Sequence, residues 1–230
     1  MINIRKFDSL GHADHGWLNA RHHFSFANYY DPSRMGWGRI RVWNDDQIGA
    51  KSGFPPHPHR DMEIVTYVRT GAITHQDSMG NKGRTAAGDV QVMSAGTGVT
   101  HAEYNLEDEA TTLFQIWIET DKPSAQPSWG AKPFPKDTRE GAFQLLASGN
   151  GDDGALSINA DARVLGASMK AGDTIEVDTK PDRHLYLVPS GKVRVNGIEA
   201  GPRDGVAITG EERVEIAAEE DSELVLVDAR

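Results

Sequence analysis

FPPHPHRDMEIVTYVRTG, residues 54–71, places His57 and His59 one residue apart among Pro55, Pro56 and Pro58, then runs into an alternating, β-branched segment. Alternate residues of an extended chain point to the same side, so the two imidazoles project together. Pro58 fixes its own φ, removes a backbone donor and drives His57 toward extended geometry. Two rings pre-set at a fixed spacing lose less entropy when both grip one ion. By the same parity Glu63 shares their side, provided the strand runs without a bulge.

A second pair follows in GDVQVMSAGTGVTHAEYN, residues 88–105, where His101 and Glu103 again alternate. Gly96 and Gly98 let the chain turn sharply into that strand. Facing strands carrying two such pairs predict a site of three nitrogens and one oxygen. A donor set of imidazole and carboxylate without sulfur suits Fe(II), Mn, Ni, Cu or Zn. Four ligands on part of an octahedron leave two positions for substrate and dioxygen. Parity does not choose between Glu63 and Glu103. A chance HxH on an exposed hairpin is the bland alternative, but the proline clamp on one pair and the glycine turn before the other favour metal binding.

Working outward, most of the chain alternates between glycine-rich turns. RIRVWNDD (39–46), EIVTYVRTG (63–71), DVQVMSAG (89–96), THAEYN (100–105) and TTLFQIWIET (111–120) read as strands, with pairs such as Asp-Asp supplying turns. No stretch carries a helical apolar stripe, so the expectation is an all-β sandwich or barrel. DKPSAQPSWGAKPFPKDTREG (121–141) holds four prolines and reads as a linker or crossover. Strands resume beyond it. YVRTG (67–71) followed by GDVQVMSAG (88–96) is echoed by YLVPSG (186–191) followed by DGVAITG (204–210), an internal repeat that predicts two tandem β-barrels. Where the first copy has His57 and His59, the second, PDRHLYLV, offers only His184. The expected division is a metal-binding domain at 1–122, a linker at 123–142 and a degenerate second domain without metal ligands at 143–230.

Composition narrows the functional classes. The 230 residues are 38% hydrophobic and 25% charged, ordinary for a chain that closes a core. A net charge of −10 argues against a nucleic-acid binder driven by phosphate neutralisation. The absence of cysteine excludes disulfides, a thiolate nucleophile and any sulfur-rich metal site. The opening MINIRKFDSLGHADHGWL has no apolar leader core and no later stretch reaches spanning length, so the expectation is cytoplasmic, with no membrane. Two barrels in one chain remove the need to dimerise, and a monomer is expected.

The remaining histidines read as structural. His12, His15, His22 and His23 lie in a glycine-rich loop region, and the adjacent His22 and His23 would face opposite ways. Phe24, Phe26, Tyr29 and Tyr30 of HFSFANYYDP are expected to close a barrel end. Asp77 of HQDSMGN is expected to organise a turn with His75 beside it. EERVEIAAEEDSE near the end reads as a solvated surface.

The spacings resemble the cupin superfamily, whose two motifs run G…HxHxxxE…G and G…PxG…H…N. Gly53, His57, His59, Glu63 and Gly71 supply the first; Gly88, Gly96, His101 and Asn105 supply the second, with Ser94 where proline is usual. Within cupins the chain most resembles the pirin family, particularly its bacterial quercetin 2,3-dioxygenase-like members. HHFSFANYYDP (22–32), HPHRDMEIVTYVRTG, HQDSMGN (75–81) and MSAGTGVTHAEYN carry that resemblance, which spans essentially the whole chain. It implies a bicupin of tandem jelly-roll barrels. It also implies His57, His59, His101 and Glu103 as ligands of one divalent metal, with Glu63 behind them. Fe(II) is the expected ion, with Cu, Ni, Mn, Zn and Co as alternatives. The implied activity is a dioxygenase opening the heterocyclic ring of flavonols such as quercetin with O2, Glu103 taking the substrate's proton. The alternative is a non-catalytic, metal-dependent regulator that binds a transcription or metabolic protein partner. Unperturbed imidazoles would release the ion as pH falls through about 6.5.

Overall fold

Alternation becomes strand almost throughout. The computed structural model describes residues 1–152 and 154–230, in which the helical segments are two short 3-10 turns, Phe7–Ser9 and Lys136–Arg139. No described helix is long and apolar enough to cross a membrane.

Each half of the chain pairs a seven-stranded sheet with a four-stranded one. In the first half the large sheet runs Ser128–Lys132, Val90–Ser94, Met62–Thr70, Thr111–Glu119, Ile40–Ile48, Leu18–His22, Gly11–Asp14. Its small sheet runs Ser52–His59, Val99–Asn105, Ala72–Asp77, Lys82–Ala86. The repeat read from the sequence survives as pairing: Met62–Thr70 lies antiparallel to Val90–Ser94 as His184–Pro189 does to Gly205–Thr209. The fold is the expected all-β bicupin.

Strand parity sorts the side chains into three layers. Val65, Tyr67, Phe114 and Ile116 point out of the first barrel and pack with Tyr186, Val188, Val225 and Val227 of the second in one core between the two large sheets. Leu185, Leu187, Leu224 and Leu226, one residue out of phase, fill the interior of the second barrel with Val193, Val195, Val214 and Ile216. The interior of that barrel is thus filled by apolar side chains. The first barrel is built differently inside. Its apolar residues form two separate clusters, around Leu18, Ile48, Ile73 and Leu113, and around Ile64, Met93 and Val99. Between them Thr66, Gln91, His75, His101, Glu103 and Gln115 are buried.

Two strands cross the expected division of the chain. Ile2–Arg5 pairs with Gly205–Thr209 of the second barrel, and Ser128–Lys132, inside the expected linker, pairs with Val90–Ser94 of the first. Each covers a sheet edge that would otherwise present unpaired backbone groups. The linker also buries Phe134 and Arg139, the latter bonding Tyr67 Oη (2.6 Å) and Glu223 (2.9 Å) across the two halves. Two units at 1–122 and 143–230 stand as a proposal for the division, with Ile2–Arg5 lent to the second barrel and Ser128–Lys132 of the linker added to the first. Asp45 and Asp46 end the segment 39–46 read as a strand, and they lie within the strand Ile40–Ile48.

Candidate metal centre

The edge of the small sheet carries the histidines. Ser52–His59 is an edge strand, where prolines missing a ladder donor are tolerated, so Pro55, Pro56 and Pro58 do not break it. It pairs with Val99–Asn105 in a register that sets His57 opposite His101. Gly53 permits that approach, since a Cβ there would lie 2.2 Å from the Glu103 carbonyl oxygen. Gly96, at φ +46°, turns the chain toward the second strand beside the Ala125 carbonyl, where a Cβ would come within 2.0 Å. His57, His59 and His101 converge: their ring centroids are 4.4–4.9 Å apart and each offers a nitrogen within 4.8 Å of the others.

Hydrogen bonding decides which nitrogens are free. An ionised carboxylate only accepts, so His75 Nε2–H donates to Asp77 Oδ2 (2.9 Å). In a neutral ring the other nitrogen is then bare, and His75 Nδ1 accepts from His101 Nδ1–H across a long 3.4 Å contact. His101 Nε2 is left as a buried lone pair with no hydrogen-bond partner among the described residues. His57 Nδ1–H donates to the Pro55 carbonyl (2.8 Å), which also leaves its Nε2 bare. Such outer bonds fix tautomer and ring orientation in metal sites. Burial opposes ionisation of Asp77, but bonds from His75, Asn81 and Met79 outweigh it and hold its carboxyl below the usual range.

Burial, reinforced by the neighbouring histidines, lowers the pKa of His59 to about 4 and that of His101 to about 3. Both rings therefore stay neutral, with a lone pair available, throughout the neutral range. Proton competition at these two sets in only as pH falls toward 4, well below the window expected of unperturbed imidazoles. The donor set fits a borderline divalent ion, and such an ion gives the buried His101 Nε2 the partner it lacks among the described residues.

Glu103 lies beside this triad and also within 4.8 Å of His75 and His101 in a second, overlapping cluster. Its Oε1 accepts from Gln91 Nε2 (2.6 Å) and Thr66 Oγ1 (3.2 Å), and its Oε2 from Gln115 Nε2 (2.6 Å). Oε2 thus keeps a lone pair for a ligand or a proton. Both nitrogens of His75 are engaged, which leaves the triad as the better cage. Glu63 belongs to neither cluster. Asp61, at φ +47°, turns the chain out of the small sheet, so Glu63 falls on the large sheet and bonds Ser94. The parity shared with His57 and His59 does not survive that turn.

His57 and His59 of the triad open on a cavity of about 450 Å³ whose wall includes Trp17, Phe26, Phe54 and Trp117, with His15, His22, Asn44, Asp46, Glu103 and Gln115. Trp17 meets Phe54 edge to face at 5.2 Å, and Phe26 meets Trp117 at 5.4 Å. His22 bonds Asn44 (2.8 Å) in that wall, while His23 turns away to Tyr186 Oη (2.9 Å) between the barrels. His12 is exposed and bonds Asn19 (3.2 Å), and His184 packs edge to face on Trp37. None of these five enters a metal cluster among the described residues. Phe26, expected to close the barrel end, lines the cavity, whereas Phe24 joins the core between the barrels and Tyr30 is exposed.

The pirin profile matches residues 3–118. The chain belongs to the pirin family. Residues 145–229 match the quercetinase C-terminal cupin domain, the plugged barrel of this pirin. It is 63% identical to the pirin-like protein of Caulobacter vibrioides over the full length of both chains. It is 44% identical to quercetin 2,3-dioxygenase of Escherichia coli K12, over 99% of this chain and 98% of that one. The solved structure of bacterial pirin YhhW from Escherichia coli in complex with nickel(II) superposes with a TM-score of 0.94 at 42% identity, covering 100% of this chain and 99% of that one.

The residue of this pirin that sequence reading passed over is His75. Its motif suggested a turn, and Asp77 does accept from the amides of Met79 (2.9 Å) and Asn81 (3.0 Å), but the same carboxylate also anchors the ring behind His101. His75 stacks on Trp129 at 4.8 Å. His75→Phe keeps that stack and removes the acceptor, so metal affinity is expected to fall by ~10–100-fold. Competition against a chelator measures it; unchanged affinity would show that His101 needs no support.

Proposed function

We propose that this pirin is a metal-dependent dioxygenase that opens the heterocyclic ring of flavonols such as quercetin with O2. One divalent ion, Fe(II) in the first instance, is held by His57, His59, His101 and Glu103. The observation that carries the reading is the bare Nε2 of His101, converging with His57 and His59 beside an aromatic-walled cavity. The cavity lies within the ~300–1,000 Å³ of small-molecule sites. The Escherichia coli relative named for quercetin lends support to the substrate class, and the nickel complex to the site's taste for borderline ions.

A bound ion supplies Lewis acidity toward the flavonol 3-hydroxyl or 4-keto oxygen and lowers the hydroxyl pKa. The protein supplies the rest. Trp17, Phe26, Phe54 and Trp117 take the flat rings edge and face and exclude water. The one lone pair left on Glu103 Oε2, oriented by Gln115, serves two roles in turn: it helps hold the ion in the resting site, and on letting go it accepts the hydroxyl proton, a transfer worth typically ~10²–10⁴-fold. Thr66 and Gln91 hold Oε1 so that Oε2 stays aimed.

The test is anaerobic reconstitution with single metals, followed by quercetin absorbance and O2 uptake. The expected result is metal-dependent loss of quercetin matched by O2 consumption, abolished in His57→Ala. Metal-loaded protein that consumes no O2 with any flavonol, yet holds a stable protein partner, would favour the regulator instead.

A further inference from the structure

Asp45 and Asp46 are neighbours with opposite surroundings. Both are buried. Asp45 faces the space between the barrels and is bonded by Arg69 and by Arg203 Nε (2.6 Å). Asp46 points the other way, into the first barrel, where it forms part of the cavity wall and its Oδ1 has no hydrogen-bond partner among the described residues. An unpartnered buried carboxyl is costly and asks for a reason.

Register fixes its depth. Asp46 shares a row with Ala20, Leu113 and Val68. The next row along the inner face holds His22, Asn44, Gln115 and Thr66, the last two of which grip Glu103. Rows two residues apart are separated by roughly 7 Å. Asp46 therefore stands between the proton-accepting carboxylate and the apolar row of Leu18 and Ile48, with Val68 and Leu113 beside it. Burial, with Asp45 and Glu103 nearby and only Arg69 opposing, pushes its pKa well above the ordinary carboxyl value. A carboxyl accepts a hydrogen bond from a hydroxyl in either protonation state, and donates one as well when it is protonated.

We infer that Asp46 is a substrate-recognition residue: its carboxyl hydrogen-bonds a hydroxyl or keto oxygen of an uncharged, polyoxygenated aromatic ligand whose other oxygens face His57, His59 and His101. The ligand class rests on the flavonol reading above; the position of the carboxyl does not. A ligand with a bare hydrocarbon edge at this depth would leave the carboxyl unpaired and is selected against.

The experiment is anaerobic binding of quercetin to the metal-loaded full chain, followed by quenching of tryptophan fluorescence, in wild type, Asp46→Leu and Asp46→Asn. Metal content and melting midpoint are recorded for each. Asp46→Leu is expected to weaken binding about tenfold, the equivalent of about 1.4 kcal/mol. Asp46→Asn, which keeps a donor and an acceptor, stays within about threefold of wild type. Both hold metal normally and melt no lower than wild type. Asp46→Leu binding as tightly as wild type overturns the assignment, and so does a lowered melting midpoint or lost metal in either variant, which would make Asp46 structural. Tight binding without O2 uptake removes the dioxygenase and leaves Asp46 in place. Turnover with unaltered binding in Asp46→Leu does the reverse, and wild-type protein that fails to bind quercetin removes both.

Discussion

Alanine at position 101 is expected to empty the metal centre. His101 is the buried member of the triad, its Nε2 has no hydrogen-bond partner among the described residues, and its Nδ1 is tied to His75. Truncating an outer partner of a metal ligand typically costs ~10–100-fold in affinity, so loss of the ligand itself should exceed that range. Bound metal should fall from about one ion per chain to a small fraction of it, and flavonol turnover with it. Stability should drop as well, because His75 Nδ1 is left buried without its donor, a cost of ~1–3 kcal/mol. His184→Ala is the control: that ring packs on Trp37 far from the cluster and its loss should leave metal content unchanged. Elemental analysis of the two purified variants decides it. Equal metal in both would remove His101 from the site.

The second large effect separates two carboxylates. Glu103→Ala takes the acceptor away from Gln91, Gln115 and Thr66 at once. Each buried donor left unpaired costs ~1–3 kcal/mol, so a destabilisation of about 3 kcal/mol or more is expected in urea denaturation. Glu103→Gln keeps the volume, removes the proton acceptor and should lower turnover by ~10²–10⁴-fold while largely sparing the fold. Glu63→Gln should do neither, because Glu63 bonds Ser94 on the other sheet. Equal loss of metal or activity in the Glu63 and Glu103 variants would contradict the ligand assignment.

Much of this was legible before any coordinate. Proline and glycine placement announced the two histidine segments, and alternation announced the barrels, because period-two patterning and backbone restriction are local properties. What failed was whatever depended on which sheet a residue joins. Glu63 keeps the parity of His57 and His59, yet the turn at Asp61 carries it to the large sheet. The proline-rich stretch read as a linker hides Ser128–Lys132, whose pairing with Val90–Ser94 is a tertiary event. Ile2–Arg5 joins the distant barrel for the same reason. The strand read over 39–46 includes Asp45 and Asp46, yet which interior each of them serves depends on the second barrel and is not a local property. The apolar plug of the second barrel was partly readable, since Leu185, Leu187, Leu224 and Leu226 occupy positions whose counterparts in the first barrel include Thr66 and Gln115.

The most direct measurement is anomalous diffraction from crystals loaded with zinc(II). One peak is predicted per chain, about 2.1 Å from a nitrogen of each of His57, His59 and His101, with Glu103 as the oxygen neighbour. A peak bound instead between His75, His101 and Glu103, or no peak in the first barrel, would contradict the account.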